Sequence, residues 1–383
     1  SEQILEHPIE IISGLEEARL IHKGVTHDFP SPTQRLIIDI GGGSTELIIA
    51  SGNKIHHLAS TKMGCVSWTT QYFQTGWTAE NFQRAIAHAK QILAPHLLIY
   101  RKIGWIDVVG TSGTIKALEG LGMALGYSVL TVEALEDLYK RMPHQANDPL
   151  WSTISTSRRE VLAGGLSILY AIFQDFQIQQ LQWLSAALRE GVLIDMLGKR
   201  SGDDIRQKSV EALVQRFTVD EEHIFRIIKT LETFLQSTTW YFSLIEQQFL
   251  RWAIYLHEVG LTIGFAGYHR HSAYIVANAD LAGFSRNDQQ TLAMLIDHHR
   301  GKIKWPSLVH YLPEITDTQK QMLALLRLCI RFHRKRLPMT MDWIGDAIET
   351  NNNTLTLNIP QTLFELEPLL QADLEYERVQ LET

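Results

Sequence analysis

Asp39 and Glu46 flank the run Ile-Gly-Gly-Gly-Ser-Thr, so two carboxylates bracket three glycines and two hydroxyls. Glycine-rich loops let backbone N–H groups reach phosphate oxygens, because no side chain stands in the way. Gly41, Gly42, Gly43, Ser44 and Thr45 are therefore a candidate phosphate cradle. The flanking acids suit Mg²⁺ and water, since hard cations take oxygen ligands. Two familiar phosphate loops are excluded. No lysine follows the glycines as a P-loop requires. No helix opens on them either, because "STELIIA" and a turn follow, which read as a strand. The element is a hairpin, strand–GGGST–strand. A plain hairpin needs one glycine at positive φ, and three followed by Ser-Thr exceed that need.

"VVGTSGTIKAL", residues 108–118, is a second such element. It joins a buried strand to a helix whose N-terminus attracts an anion; the plainer alternative is an ordinary strand–helix turn with Thr114 as cap. Gly110, Ser112, Gly113 and Thr114 are its candidate phosphate contacts. The two elements together suggest one lobe of a phosphate-handling fold of the actin and sugar-kinase type.

The elements that must position these loops follow from periodicity. Ile9 to Ile12 reads as a short strand, followed by a Ser-Gly turn and a helix. Runs at 36–50 and 55–61 read as strands. "TAENFQRAIAHAKQILAPHLLIYR", 78–101, is helical with Thr78 as N-cap. Further helices are predicted near 132–142, in "RREVLAGGLSILYAIFQDF" and in "AALREGVLIDML", with "IQQLQWLS" as a strand. This alternation makes residues 1–197 an α/β lobe. After "GKRSGDD", 198–204, apolar residues fall at helical spacing, so 198–336 is expected to be an all-α domain. The alternating "NTLTLNIP", 353–360, beyond "LPMT", predicts a small C-terminal α/β cap over 337–383.

Composition bounds the rest. The 383 residues are 45% hydrophobic and 20% charged, enough for two or three globular domains. Cys65 and Cys329 are the two cysteines, which excludes a disulfide framework or a CxxC zinc ribbon. A net charge of −7 argues against a nucleic-acid partner but not against a local basic surface. No apolar run reaches the roughly 20 residues of a membrane span. A cytoplasmic protein with free thiols, soluble or peripheral at a membrane, is expected.

"PIEIISGLEEARL", "IDIGGGSTELI", "MGCVSW", "GTSGTIKAL", "ALREGVL" and "LHEVGL…HRHSAYIV", in this order, resemble the exopolyphosphatase / guanosine pentaphosphate phosphohydrolase family over nearly the whole chain. "YHRHSAY" looks more like its exopolyphosphatase branch. The resemblance implies an actin-like (ribonuclease H-like) phosphatase lobe, then an all-α HD-like domain, often in a homodimer. It implies Mg²⁺-dependent release of the terminal phosphate of inorganic polyphosphate by water, with K⁺ as an activator. The alternatives are conversion of guanosine pentaphosphate to the tetraphosphate, or a non-catalytic polyphosphate- or nucleotide-binding module. The family's general base falls on Glu17 of "EEAR", its metal and water carboxylates on Asp39 and Glu46, and the "LREG" acid on Glu190. Two departures stand out. Family members open with another lobe carrying a D-x-G-S-N-S loop, which this chain lacks, so it is expected to be part of a longer protein. Ser185-Ala186 stands where the family usually has Asp-Gly.

The helical half is rich in histidine: His257, His269, His271, His298 and His299. An HD metal site needs a His-Asp doublet, and here it is His257-Glu258. Buried histidines satisfied by hydrogen bonds are the expected reading. Arg270, Arg300, Lys302, Lys304 and "RFHRKR", 331–336, form a locally basic region suited to a polyphosphate chain.

Overall fold

The computed structural model describes residues 9–143, 149–200, 204–338, 343, 347–351 and 354–382. Two compact units are present: Ile12–Asp203, and Asp204–Thr383 together with Ser1–Ile11. Of the predicted break at 198–204, residues 201–203 lie outside the described residues, as do 339 and 340 of "LPMT" and residue 353 of the last predicted strand.

The first unit is built on a six-stranded mixed sheet. Its strands are β1 (Arg35–Ile40), β2 (Thr45–Ser51), β3 (Lys54–Thr61), β4 (Asp107–Gly110), β5 (Leu130–Thr131) and β6 (Gln180–Trp183), in the order β3-β2-β1-β4-β6-β5. β1, β2 and β3 form an antiparallel meander, while β4 and β6 run parallel to β1. The helices are α1 (Gly14–Asp28), α2 (Cys65–Tyr72), α3 (Ala79–Ile103), α4 (Gly113–Ala124), α5 (Val132–Arg141), α6 (Thr156–Phe176) and α7 (Leu188–Arg200).

Strand alternation sends side chains to two cores. Leu36, Ile38, Ile40, Leu47 and Ile49 face the larger one, with Phe82, Leu118 and Leu166. Ile37, Ile48 and Ala50 face the smaller one, with Ala18, Ile21 and Val25 of α1. β1 and β2 are thus covered on both sides, which is why they read as unbroken apolar runs. The strand expected at Ile9–Ile12 does not form. That segment is irregular, Ile9 and Ile11 are exposed, and Ser13 caps α1 by accepting from Glu16 N.

α1 and α7 cross without side chains between them. A methyl group on Gly191 would overlap the Leu20 carbonyl, and one on Gly24 would overlap the Ala187 carbonyl. Charge reinforces the crossing: Arg19 forks onto Glu16 at 2.8 Å through Nε and Nη2, and Nη2 also reaches Asp195 of α7 at 2.9 Å. Lys23 meets the same aspartate at 2.8 Å.

The second unit holds α8 (Ile205–Phe217), α9 (Glu221–Ser237), α10 (Leu244–Leu256), α11 (Tyr268–Asn278), α12 (Arg286–His298) and α13 (Asp317–Phe332). A hairpin of β7 (Ile348–Asn351) and β8 (Thr354–Leu357) follows, then α14 (Gln361–Leu366) and α15 (Pro368–Leu381). Ile348 and Leu370 lie in the same core as the preceding helices. Arg327, fully buried on α13, donates to Glu377 of α15 at 2.6 Å and so ties the last helix down.

Glycine contacts separate two outcomes. Gly191→Ala is expected to lower the stability of the first unit by about 2–4 kcal/mol, because backbone cannot yield as a side chain can. Gly120→Ala, on an exposed turn of α4 with open space around it, is expected to raise stability by up to about 1 kcal/mol. Urea unfolding of both variants checks the pair.

Candidate active site

The site is assembled by strand register. In the β1–β2 hairpin Asp39 pairs directly with Glu46, and across β2–β3 Glu46 pairs with Ser60. Both acids share the sheet face of Ile37 and Ile48, since side chains two apart on a strand point the same way. They end that apolar column at the loop. On the other side of β1, Thr111 N donates to Ile38 O at 3.1 Å, and the Thr111 hydroxyl donates to Asp39 Oδ2. Ser60 Oγ donates to Glu46 Oε1 at 2.8 Å. A row Ser60–Glu46–Asp39–Thr111 therefore crosses four segments of chain.

Glu17 joins this row from α1. It is half-buried, and burial with the charge of Asp39 raises its pKa. Burial also raises Asp39, against the hydrogen bond from Thr111. Glu46 is fully buried and is pushed up to about 7, chiefly by burial, with the charges of Glu17 and Asp39 adding to it; hydrogen bonds from Ser60 and Ser44 act the other way. Glu46 Oε2 has no hydrogen-bond partner. The neighbouring Glu16 plays no part, being engaged by Arg19. So the "EEAR" doublet divides its work: the first acid holds Arg19, which reaches Asp195 of α7, and the charge of Asp39 acts on the second.

The GGGST loop closes on itself through Gly41 N donating to Ser44 O at 2.9 Å. Its carbonyls are taken by the start of α2: Cys65 N reaches Gly41 O at 2.9 Å, and Val66 N and Ser67 N reach Gly42 O at 3.0 and 3.1 Å. Gly64 must be glycine, because a methyl group there would overlap Gly42. A methyl group on Gly41 would crowd the Ser44 carbonyl at 3.3 Å, but Gly42 and Gly43 have no such reason. None of Gly41, Gly42 and Gly43 has positive φ, a methyl on Gly43 meets nothing, and one on Gly42 meets only Val66 at 3.6 Å. The plain-hairpin explanation of the glycines therefore fails. What they leave is exposed backbone at Gly42 and Gly43.

Thr45 differs from its expected role. Its hydroxyl is buried and donates to Met63 O at 2.5 Å, so it braces the loop from within. In the second loop Ser112, not Thr114, caps α4, accepting from Ile115 N at 3.2 Å. Thr114 is buried with its hydroxyl unpartnered, and its methyl lies where a side chain on Gly165 would stand. Gly110 is small because Ile115 and Leu181 crowd it. The Arg158 guanidinium lies against Gly113, at 2.6 Å from where a methyl group there would sit. α6 pins both loops, since Gly164 abuts the Cys65 carbonyl and Gly165 abuts Thr114. Glu190 is not brought to the acid row by any observed contact. It accepts from Ala187 N at 2.9 Å at the start of α7 and pairs with Arg189, and the Ala187 amide above all holds its pKa low.

Thr111, Ser60 and Arg158 were not singled out from the sequence. Thr111 lies inside "GTSGT" and was within reach of that motif. Ser60 and Arg158 carry no local signal, since strand pairing and helix packing bring them in.

In the helical unit Arg270, Arg300, Lys302 and Lys304 are exposed, with Arg300 over the Tyr268 ring at 4.9 Å. The "RFHRKR" cations are not part of a free basic face. Arg331 and Arg334 meet Asp373, Lys335 meets Glu367, and Arg336 meets Asp220 and Glu258. His298 and His299 donate to carbonyls of their own helix, as expected of buried histidines.

A carboxylate row beside two glycine-rich loops on an actin-like lobe is the arrangement of a phosphate-handling protein. The chain belongs to the Ppx/GppA phosphatase family: that family's sequence pattern matches residues 2–200, and that of Ppx/GppA phosphatase domain III matches residues 205–378. Solved structures are similar in part. The Aquifex aeolicus PPX-GPPA enzyme is 24% identical, over 50% of this chain and 67% of that one, with a TM-score of 0.43. An exopolyphosphatase from Cytophaga hutchinsonii is 20% identical over 52% and 68%, with a TM-score of 0.46. No described helix is long and apolar enough to cross a membrane.

The acid row has a pH signature. A carboxyl raised from 4.5 to about 7 on folding binds more protons in the native state between those values. Its stability contribution is whole below about pH 4.5 and is lost as pH rises to 7. Glu46→Gln should therefore stabilise the metal-free protein at pH 8 by up to about 3 kcal/mol and match it at pH 4.5. Thermal unfolding at the two pH values checks this.

Proposed function

We propose that this chain carries the machinery for hydrolysing the terminal phosphoanhydride of inorganic polyphosphate. The observation that carries the reading is the row Glu17–Asp39–Glu46, in which the charge of Asp39 raises the pKa of Glu17, and Glu17 and Asp39 together raise that of Glu46. Such a row costs stability unless something positive completes it. A hard divalent cation fits the donor set, all oxygen, and Glu46 Oε2 stands unpartnered for it. Asp39 and Glu46 would hold Mg²⁺, which when bound draws charge from the phosphoryl oxygens.

The chain's own residues divide the remaining tasks. The exposed backbone at Gly42 and Gly43 receives the terminal phosphate. Ser112 and the start of α4 offer amides to a second phosphate, with Arg158 beside Gly113 to balance charge. Glu17, with its raised pKa, orients the attacking water and takes its proton. Oxygen of water bonds to the terminal phosphorus, the bond to the bridging oxygen breaks, and orthophosphate leaves a chain one unit shorter. The exposed cations Arg270, Lys302 and Lys304 favour a long polyanion over a short nucleotide such as guanosine pentaphosphate.

Mg²⁺-dependent phosphate release from long-chain polyphosphate and from guanosine pentaphosphate tests the reading. It is measured in this chain and in one extended upstream by the lobe that the family resemblance leads one to expect. Glu17→Gln is expected to lower release at least 10²-fold with polyphosphate binding kept. Faster turnover of the nucleotide would overturn the polyphosphate assignment, and tight binding without release by the extended chain would make it a binding module.

A second variant isolates the loop. Gly43→Ala should fold within about 1 kcal/mol of the parent, since its methyl meets nothing, yet lose most phosphate release. Unchanged release would show that the phosphate does not approach there.

A further inference from the structure

The helical unit contains a polar cluster that the phosphatase chemistry does not use. His223 on α9, His257 at the end of α10 and Glu258 beside it are all buried. One donor atom from each lies within 4.8 Å of the others. His257 Nδ1 donates to the Ile254 carbonyl at 2.6 Å, so its proton is on that nitrogen and Nε2 carries a lone pair. That Nε2 is buried without a hydrogen-bond partner, and so is His223 Nδ1. Glu258 Oε1 lies 3.9 Å from His257 Nε2. An unmade hydrogen bond on a buried polar atom costs about 1–3 kcal/mol, and each of the two histidines of this cluster carries one such atom. At His257 the expectation that a buried histidine is satisfied by hydrogen bonds is therefore met at only one of its two nitrogens.

The surroundings are those of a held site. Arg336 donates to Glu258 and, at 3.0 Å, to Asp220, whose other oxygen accepts from the His223 backbone N–H. Arg336 does this from a left-handed backbone, φ 59°, and Thr218 nearby has φ 49°. Strained residues of this kind persist where their surroundings hold them. Thr218, Asp220, Glu258, Thr262 and Arg336 line a cavity of about 440 Å³, so the cluster borders it through Glu258.

We propose that His223, His257 and Glu258 bind one divalent transition-metal ion of the zinc class. Two neutral imidazoles and one carboxylate are a donor set for such an ion rather than for Mg²⁺. The Ile254 carbonyl fixes the His257 tautomer and Arg336 fixes the carboxylate, the two outer contacts that such ligands need.

Co²⁺ is the probe, because a site with mixed nitrogen and oxygen ligands gives it visible absorption bands. The full chain, stripped with chelator and dialysed, is titrated with Co²⁺ and then Zn²⁺. One equivalent should give visible bands that Zn²⁺ removes. His257→Ala and His223→Ala should abolish the bands, and Glu258→Gln should weaken affinity at least tenfold. Glu46→Gln should leave them intact, which separates this site from the acid row. Circular dichroism checks each fold, and if a histidine variant unfolds, Glu258→Gln decides. Absence of Co²⁺ bands at millimolar metal, as water in the space would give, overturns the proposal. So do bands that persist unchanged in Glu258→Gln and in the folded histidine variants.

Discussion

The first unit depends on a repulsion. Asp39 and Glu46 face each other across an antiparallel pair, where Cβ atoms lie about 5 Å apart. Two like charges at that separation repel by about 3 kcal/mol at an effective dielectric constant of 20. Nothing in β-sheet formation asks for this arrangement, and the flanking isoleucines would be steadier with a third apolar pair. The neighbours are arranged to contain it. Thr111 and Ser60 donate from either side, α1 covers the face with Ala18 and Ile21, and protons or a cation must supply the rest.

That containment sets the tolerances elsewhere. Glu17 reaches the row only because α1 lies close to the sheet, and α1 lies close because glycines at 24 and 191 let α7 in behind it. The Arg19–Glu16–Asp195 network locks the rotation of α1, so the second acid of the doublet and not the first meets Asp39. In the same way Gly164 and Gly165 bring α6 against both phosphate loops at once. Small residues at these crossings are positioning devices, and their effect is felt one helix away from the chemistry.

The helical unit shows the opposite use of charge. Its basic run is neutralised residue by residue against acids of α15 and its neighbours, and Arg327 is buried outright against Glu377. Pairs this deep are costly to break, because removal of one partner strands the other in a medium that cannot solvate it. Of the basic residues singled out in this half, Arg270, Arg300, Lys302 and Lys304 remain exposed outside that network.

Much was determined by the sequence alone. Unbroken apolar runs on either side of three glycines predict a hairpin, and its two flanking acids must then lie near one end of the sheet, because register follows from the turn. Most of the later strands and helices follow from periodicity in the same way and the Thr78 cap from residue type, but the strand expected at Ile9–Ile12 does not form, and the helix Cys65–Tyr72 and the short strand Leu130–Thr131 carried no such signal. Tertiary structure decided what local pattern cannot encode. "Glu-Glu" in "EEAR" is symmetric in residue type, and apart from the family resemblance only the Arg19 contacts show that Glu16 is engaged and Glu17 is not. Thr45 and Ser44 read as equal hydroxyls, yet the strand pleat turns the first inward to Met63. "RFHRKR" reads as a free basic patch until its partners arrive from 32 to 116 positions away. His223 carries no signal beside "LHEVG", being 34 residues before His257 and brought to it only by the packing of α9 on α10. Contacts at such separations are paid for by the whole fold, so no window of sequence contains them.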